Sequence, residues 1–405
     1  MGSNQHFFNL SPAGRLMPKE EMLEIGRSKK QLVIGIPKET VYQENRISLV
    51  PEGVSLLVQN GHRVVYEAGA GVAAHFSDIE YSEAGADTVY DPAEVFKADI
   101  LLKVSPPSLT EIDYLGSRQT LISSLQISTL KDEYFRKLLS RKMTCIAFEY
   151  IKDKTKSFPL IRAMSEIAGN TTVLIAAEYL SHPEYGKGRM LGGFSGISPS
   201  EVVILGAGTV AEFAARAAIG MGATVKVFDN NIYKLRRLQN NLNQRIFTSI
   251  LHPKVLLKSL RTADVVVGAI HAPEGRTPCF VTEEMVREMR PGSVIIDVSI
   301  DQGGCFETSR VSTHANPVYK KHDITHYCVP NIASRIPNTA SYALSNFFTP
   351  ILISMGEEGG IENYLKVDYG LRHGVYLFNG ILTSKSIGEN FKLPFQDIEL
   401  LMAAF

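Results

Sequence analysis

From residue 31 onward the chain alternates between two hydrophobic rhythms. Short apolar runs at 32–36, 62–67, 99–104, 120–125 and 143–149 have the length and composition of strands. Between them, segments at 51–59, 77–84 and 131–141 place apolar residues at helical spacing, the first opening with Pro51 at an N1-like position. Strands separated by helices predict a parallel sheet covered on both faces. A long helix at 163–180 carries the chain away from this unit. A second unit opens at Glu201, with later strands at 263–270, 293–298 and 326–329, and Pro330 and Pro337 punctuate its exit. A helical run at 340–354 and a tail to Phe405 follow. The tail is too short for a third domain, so it is expected to return and complete the first. The expected fold is α/β: two doubly wound domains with a cleft between them, the first discontinuous in sequence. Residues 1–30 are read as an extension, 31–160 with 338–405 as one domain and 161–337 as the other.

Composition narrows the function. A chain of 405 residues has room for two or three domains with full cores. Its 44% hydrophobic and 21% charged residues are those of an ordinary soluble globular protein. Acidic and basic residues number 42 each, so no global field draws the chain to nucleic acid or an anionic membrane. The four cysteines (Cys145, Cys279, Cys305 and Cys328) form no Cys-x-x-Cys pair. That argues against a zinc site or a disulfide framework and suits a reducing compartment. No run reaches the roughly 18 apolar residues of a membrane span. Residues 1–30 carry neither an apolar h-region nor an Arg-rich presequence. The expected location is cytoplasmic.

One local pattern changes the picture most. Glu201-Val-Val-Ile-Leu-Gly206-Ala-Gly208-Thr-Val-Ala211 reads as a buried strand, a Gly-x-Gly-x-x-Ala turn and a helix start, and Asp229 ends the next strand 21 residues after Gly208. Gly206 permits the tight turn, Gly208 lets a pyrophosphate approach the backbone, and Ala211 still allows close helix–strand packing. The orphan N–H groups opening the helix face the phosphates. Asp229 can accept hydrogen bonds from ribose hydroxyls, and its charge repels a 2′-phosphate, so NAD is favoured over NADP. A structural α/β turn without a ligand is the plainer alternative. The 161–337 domain is thus the Rossmann-like, NAD-binding one, and ligands are expected beyond the strand C-termini, in the cleft.

Other clusters lie at the same kind of edge. In Glu44-Asn-Arg46 an Arg just past the first strand suits bidentate capture of a carboxylate, or simply solubilises the surface. Asp297-Val-Ser-Ile-Asp301-Gln-Gly-Gly304 brings a carboxylate and two glycines past a strand end, as an Asx-type turn also would. Ser165 either faces the nicotinamide or caps the long helix. Lys103 and Ser105, two apart at a strand end, point to one face, where the lysine faces the cleft or snorkels past its rim. His271, His314, His322 and His326 show no metal-ligand spacing, and no metal is expected.

These segments together resemble the alanine dehydrogenase/pyridine-nucleotide transhydrogenase family, over nearly everything from Val33 to about Pro350. The resemblance is carried by Ile34-Gly-Ile-Pro-Lys-Glu39, Arg46, Glu67-Ala-Gly-Ala-Gly71, Leu102-Lys-Val104, Met164-Ser-Glu-Ile-Ala-Gly169, Leu191-Gly-Gly193, the dinucleotide fingerprint and Pro291-Gly-Ser-Val-Ile-Ile-Asp-Val298. Asp301-Gln-Gly-Gly-Cys-Phe-Glu-Thr-Ser309 favours the alanine dehydrogenase branch, whose members oxidise L-alanine with NAD to pyruvate and ammonia. They are typically homo-oligomers, often hexamers. The resemblance implies that Arg46 holds the substrate carboxylate, that Asn331 lies beside substrate and nicotinamide, and that Asp301 sits against the nicotinamide ribose and reaction centre. It implies NAD contacts from Ser165, Gly206, Gly208, Ala211, Asp229 and Lys234, with the backbone of Ile270 and His271 nearby.

Two positions depart from the family pattern. Where alanine dehydrogenases carry Lys-Val-Lys-Glu-Pro, this chain has Lys103-Val-Ser105-Pro-Pro107, and Ser105 replaces a substrate-contacting Lys. Where they carry Tyr-Leu-His-Leu-Ala it has Ser124-Leu-Gln126-Ile-Ser128, and Gln126 replaces the acid/base His. Gln126 can hydrogen-bond but cannot exchange a proton near neutral pH. Three readings follow. The chain oxidises a small L-amino acid with Lys103 or Asp301 moving the proton, and Ser105 and Gln126 lining the substrate. It acts on a different amino acid. Or it binds NAD(H) as a regulatory or transhydrogenase-like protein without turning over alanine.

Overall fold

The structure is a computed structural model that describes residues 29–40, 43–127, 130–272 and 276–404. The expected extension therefore lies, for residues 1–28, outside the described residues. The chain first lays down six strands: β1 (Val33–Ile36), β2 (Arg63–Glu67), β3 (Asp87–Val89), β4 (Ile100–Leu102), β5 (Thr120–Ser123) and β6 (Thr144–Ala147). Seven follow: β7 (Glu201–Leu205), β8 (Thr224–Phe228), β9 (Phe247–Ser249), β10 (Val265–Gly268), β11 (Val294–Asp297), β12 (Val318–Lys321) and β13 (Ile324–Tyr327). The tail adds β14 (Val375–Phe378) and β15 (Ile381–Leu382). They form two sheets, of order β15-β14-β6-β5-β4-β1-β2-β3 and β12-β13-β11-β10-β7-β8-β9. Within each, every central pair is parallel, and β4, β5, β6, β10 and β11 are buried along their whole length, which is why they read as unbroken apolar runs.

The edges differ from the expected pattern. β12 pairs antiparallel with β13, and β14 pairs antiparallel with both β6 and β15. The short strands β3 and β9 are half-exposed and carry too little apolar signal to be seen in the sequence. β4 stops at Leu102, so Lys103 and Ser105 lie beyond the strand, where alternation of faces no longer sorts them. The long helix begins at Pro159, not near 163, and ends at Ser181. Ser165 is accordingly in its second turn and cannot cap it.

The chain crosses between the sheets twice, each time on a long helix. Pro159–Ser181 leads from β6 toward β7, and Pro337–Glu357 leads back from β13 toward β14. Each opens with a proline in its first turn, where the missing N–H costs nothing. The first crossing packs flush on the Thr209–Gly220 helix, because Gly169 leaves room: a Cβ there would stand 2.5 Å from the Val210 carbonyl oxygen. The second is anchored by Ser341, whose Oγ accepts the Ile47 N–H at 2.9 Å. The C-terminal edges of both sheets meet between these crossings.

Candidate active site

The dinucleotide turn has the geometry its residues predict. Gly206 adopts φ 109°, and a Cβ on it would lie 2.3 Å from the Ala269 carbonyl oxygen, so only glycine fits. Gly208 caps the Thr209–Gly220 helix, and a Cβ there would meet nothing within 4 Å; the backbone is open where a phosphate would approach. Ala211 is fully buried against the sheet. The first main-chain N–H of this helix with an intrahelical partner is that of Glu212, which donates to Gly208 O at 3.0 Å, leaving the preceding donors for an anion. Asp229 accepts the Ala207 N–H and the Asn231 N–H, both at 2.7 Å, which fixes its carboxylate beside the turn. Lys234 is exposed in the first turn of the next helix, Ile232–Leu242, its N–H capped by Asn231. Ile270 and His271 follow β10 beside the turn, and Ile270 N–H donates to Ser299 Oγ at 2.9 Å. These residues fit a bound NAD.

Where the loops after β1, β11 and β13 meet, the structure gathers Arg46, Asp301 and Asn331 around Glu44, to which the sequence alone assigns no role. Arg46 donates through Nε and Nη2 to the two Glu44 oxygens at 2.7 and 2.6 Å, a bidentate pair. Asn331 donates its side-chain N–H to Glu44 Oε2 at 2.7 Å and its main-chain N–H to Asp301 Oδ1 at 3.1 Å. Ser334 Oγ donates to Glu44 Oε1 at 3.1 Å and accepts the Asn45 N–H. Burial would raise the Glu44 carboxyl, but the Arg46 guanidinium outweighs it and holds the group ionised. Asp301 is raised by the protein around it, although the Asn331 N–H and the nearby Arg46 pull it down. The loop carrying it is pinned by Asp297, which accepts from Ser299 N, Cys305 N and Ser309 Oγ. Arg46 is thus not a bare clamp: one face of its guanidinium is already occupied, while Nη1 points to Met164 on the first crossing helix. Ser165 is half-buried on that helix.

Lys103 differs from expectation. It neither faces open cleft nor snorkels; it is fully buried, 3.4 Å from Glu39 Oε2 and 3.0 Å from Glu111 Oε1. Burial on its own would lower the amine, but the two carboxylates win and it stays protonated, which removes it as a resting base. Glu39, the last residue of Ile34-Gly-Ile-Pro-Lys-Glu39, joins this lysine although nothing in the sequence marks it as a site residue. It accepts the Val104 N–H at 2.6 Å and the Ser105 N–H at 3.3 Å, and burial lifts its carboxyl to about 6. Ser105 is buried with no partner for its hydroxyl among the described residues. Gln126, past the end of β5, holds a left-handed backbone at φ 44°, and its side-chain N–H donates to Ser124 Oγ at 3.2 Å. Among the described residues no cluster of three or more His, Cys, Asp or Glu could hold a metal ion.

Two family profiles match: "Alanine dehydrogenase/PNT, N-terminal domain" over residues 35–168 and "Alanine dehydrogenase/PNT, C-terminal domain" over 172–385. An alanine dehydrogenase of Staphylococcus saprophyticus is 39% identical over 369 residues, covering 91% of this chain and 99% of that protein. One from Bacillus subtilis is 37% identical over 360 residues, covering 89% and 94%. A solved L-alanine dehydrogenase superposes with a TM-score of 0.83 at 34% identity, over 89% of this chain and 99% of that one. A transhydrogenase from Sinorhizobium meliloti shares the fold, with a TM-score of 0.75 at 23% identity over 87% and 99%.

Proposed function

The chain belongs to the alanine dehydrogenase/PNT family, and from that premise we propose that it is an NAD-dependent dehydrogenase of a small L-amino acid. It would release ammonia and a 2-oxo acid, pyruvate if the substrate is L-alanine. The observation that carries this reading is the meeting of Arg46, Asn331 and Asp301 at the junction of the sheets, in a chain whose second sheet carries the Gly206–Asp229 turn. Bound NAD supplies the hydride acceptor. The open backbone at Gly208 and the helix behind it bind the pyrophosphate, and Asp229 takes the ribose hydroxyls and rejects a 2′-phosphate. Ser165, Lys234, Ile270 and His271 border the cofactor. Arg46 presents Nη1 to the substrate carboxylate while Glu44 holds its plane. Asn331 fixes Asp301 at the reaction centre, and Ser105 and Gln126 line the far side of the substrate.

The residues fall, in this proposal, into a substrate domain of 31–160 with 338–405 and an NAD domain of 161–337. Copies of the chain are proposed to associate, and the loop holding Met190, Phe194 and Ile197, which are 55%, 62% and 53% exposed, is the candidate contact. Met221 lies against this loop, its carbonyl 2.0 Å from where a Gly192 Cβ would stand.

A screen of NADH formation against the common L-amino acids tests the activity. Turnover of any of them supports the dehydrogenase. Tight NADH binding with no turnover favours a regulatory NAD(H)-binding protein, the second reading that the buried Ser105 and the non-titrating Gln126 support.

A further inference from the structure

The remaining question is where the reaction's proton goes, and the answer rests on the dehydrogenase reading above. A substrate ammonium must lose a proton before its nitrogen lone pair can form the C=N bond that accompanies hydride loss. Gln126 cannot take that proton. Glu44 is kept ionised, and its oxygens are filled by Arg46, Asn331 and Ser334. Lys103 already holds its proton.

Glu39 is different. It lies just past the end of β1, its side chain 6% exposed, fixed by the Val104 and Ser105 N–H groups. Arg46 and Glu44 both act on it electrostatically, and the N–H that holds one of its oxygens belongs to Ser105, a residue proposed to line the substrate. In an α-amino acid the amine is one carbon from the carboxylate, within reach of a group placed there. Behind Glu39 the polar contacts continue inward and then out. Lys103 Nζ stands 3.4 Å from Glu39 Oε2 and donates to Glu111 Oε1 at 3.0 Å. Thr40, which is exposed, donates its hydroxyl to the same Glu111 oxygen at 3.4 Å. Two carboxylates around one ammonium leave a net charge of minus one, so the cluster can accept one proton without becoming a buried cation.

We propose that Glu39 accepts the proton of the substrate ammonium and that Lys103 and Glu111 pass one on to solvent at Thr40, a buried three-residue relay. The substrate N–H breaks and a Glu39 O–H forms. Lys103 gives an Nζ proton to Glu111 and regains one from Glu39, and Glu111 releases its proton to water. The freed lone pair forms C=N as the α-hydrogen departs with two electrons, which NAD, when bound, would accept. Water then adds at the carbon and ammonia leaves, giving the 2-oxo acid. The raised carboxyl of Glu39, at about 6, keeps it ionised yet receptive near neutral pH. The charged groups that act on it are Lys103 beyond β4, Glu44 and Arg46 on its own loop, Glu111 through Lys103, and Asp301 through Arg46.

The test is the pH profile of kcat/KM for whichever amino acid the wild type oxidises, compared among Glu39→Gln, Glu39→Asp, Glu111→Gln and Asp301→Asn. Glu39→Gln should lower kcat/KM by about 10²-fold and abolish the acid limb near pH 6, while Glu39→Asp keeps a displaced limb. Glu111→Gln should lower kcat and enlarge its solvent deuterium isotope effect. An unchanged limb in Glu39→Gln, or its loss in Asp301→Asn alone, overturns the relay. NADH fluorescence titration verifies that each variant is folded. Should the wild type oxidise no amino acid, the dehydrogenase reading fails on its own account. Infrared pH-difference spectra of the full chain then test Glu39 apart from turnover: a protonated-carboxyl band titrating near pH 6 that vanishes in Glu39→Gln supports it as a proton acceptor, and no such band overturns the relay.

Discussion

Asn331 donates its side-chain amide to Glu44 across a gap of 287 residues, at 2.7 Å, and so ties the loop after β1 to the loop after β13. The same asparagine sits in the left-handed region, φ 56° and ψ 53°, a conformation Asn tolerates better than most residues. Its main-chain N–H is thereby free to reach Asp301 while its side chain reaches the other way. One residue thus sets the relation between the carboxylate site and the reaction centre.

Removing Glu44 is the severest single change at this junction. Glu44→Ala leaves the Arg46 guanidinium poorly compensated in a nearly buried site and should destabilise the protein by about 3–5 kcal/mol. Urea unfolding checks it, and a loss under 1 kcal/mol would show that water takes over the role of Glu44.

Arg46→Lys keeps a charge but loses the planar fork. KM for the amino-acid substrate should rise by about 10–100-fold, with the NADH dissociation constant unchanged. Steady-state kinetics beside a fluorescence titration separate the two effects.

At the dinucleotide turn, Gly206→Ala forces a Cβ against the Ala269 carbonyl and should weaken NADH binding by about 10²-fold. Asp229→Ser should also weaken NADH binding, through the lost carboxylate contacts to the ribose and the Ala207 N–H, and narrow the preference over NADPH. Parallel titrations with both cofactors read out each change.

His326 gives the fold an acid-sensitive element. Its Nδ1 faces the Ile324 carbonyl at 3.0 Å and its Nε2 faces Thr308 Oγ1 at 2.8 Å, with Tyr319 stacked on the ring. A carbonyl can only accept, so Nδ1 carries a proton, and in the neutral ring Nε2 accepts from the Thr308 hydroxyl. Burial depresses it from 6.5 to about 4. A depressed group stabilises the fold above its unfolded value, and that contribution is lost as pH falls through the window from 6.5 to about 4. The loss is on the order of 3 kcal/mol. The difference in unfolding free energy between wild type and His326→Gln, followed across that window, should change by this amount; a flat difference would refute it.

The loop holding Phe194 and Ile197 predicts self-association. Phe194→Asp together with Ile197→Asp should shift sedimentation toward smaller species without altering NADH binding.

Much of the architecture was legible because its signals are local. The Gly206–Asp229 turn is set by neighbours within about one βαβ unit, and the central strands announce themselves as apolar runs. What the sequence hid depends on long-range partners. Glu39 meets the Val104 N–H over a separation of 65 residues, and nothing near Glu39 in the chain signals that its carboxylate will be buried beside a lysine. Lys103 read as a cleft residue because β4 was expected to run to 104; the strand ends at Leu102, and the chain turns the lysine inward. Glu44 was visible beside Arg46, but only the arrival of Asn331 from the second sheet gives it a task.

The two helical crossings also fix how this molecule can move. Two bodies joined at one point can swivel in any direction, whereas two bodies joined at two points turn only about the line between them. The Pro159–Ser181 and Pro337–Glu357 helices are two such joints, so any parting of the sheets is expected to follow the opening of a book's covers. Asn331 and Glu44 are the clasp of that book.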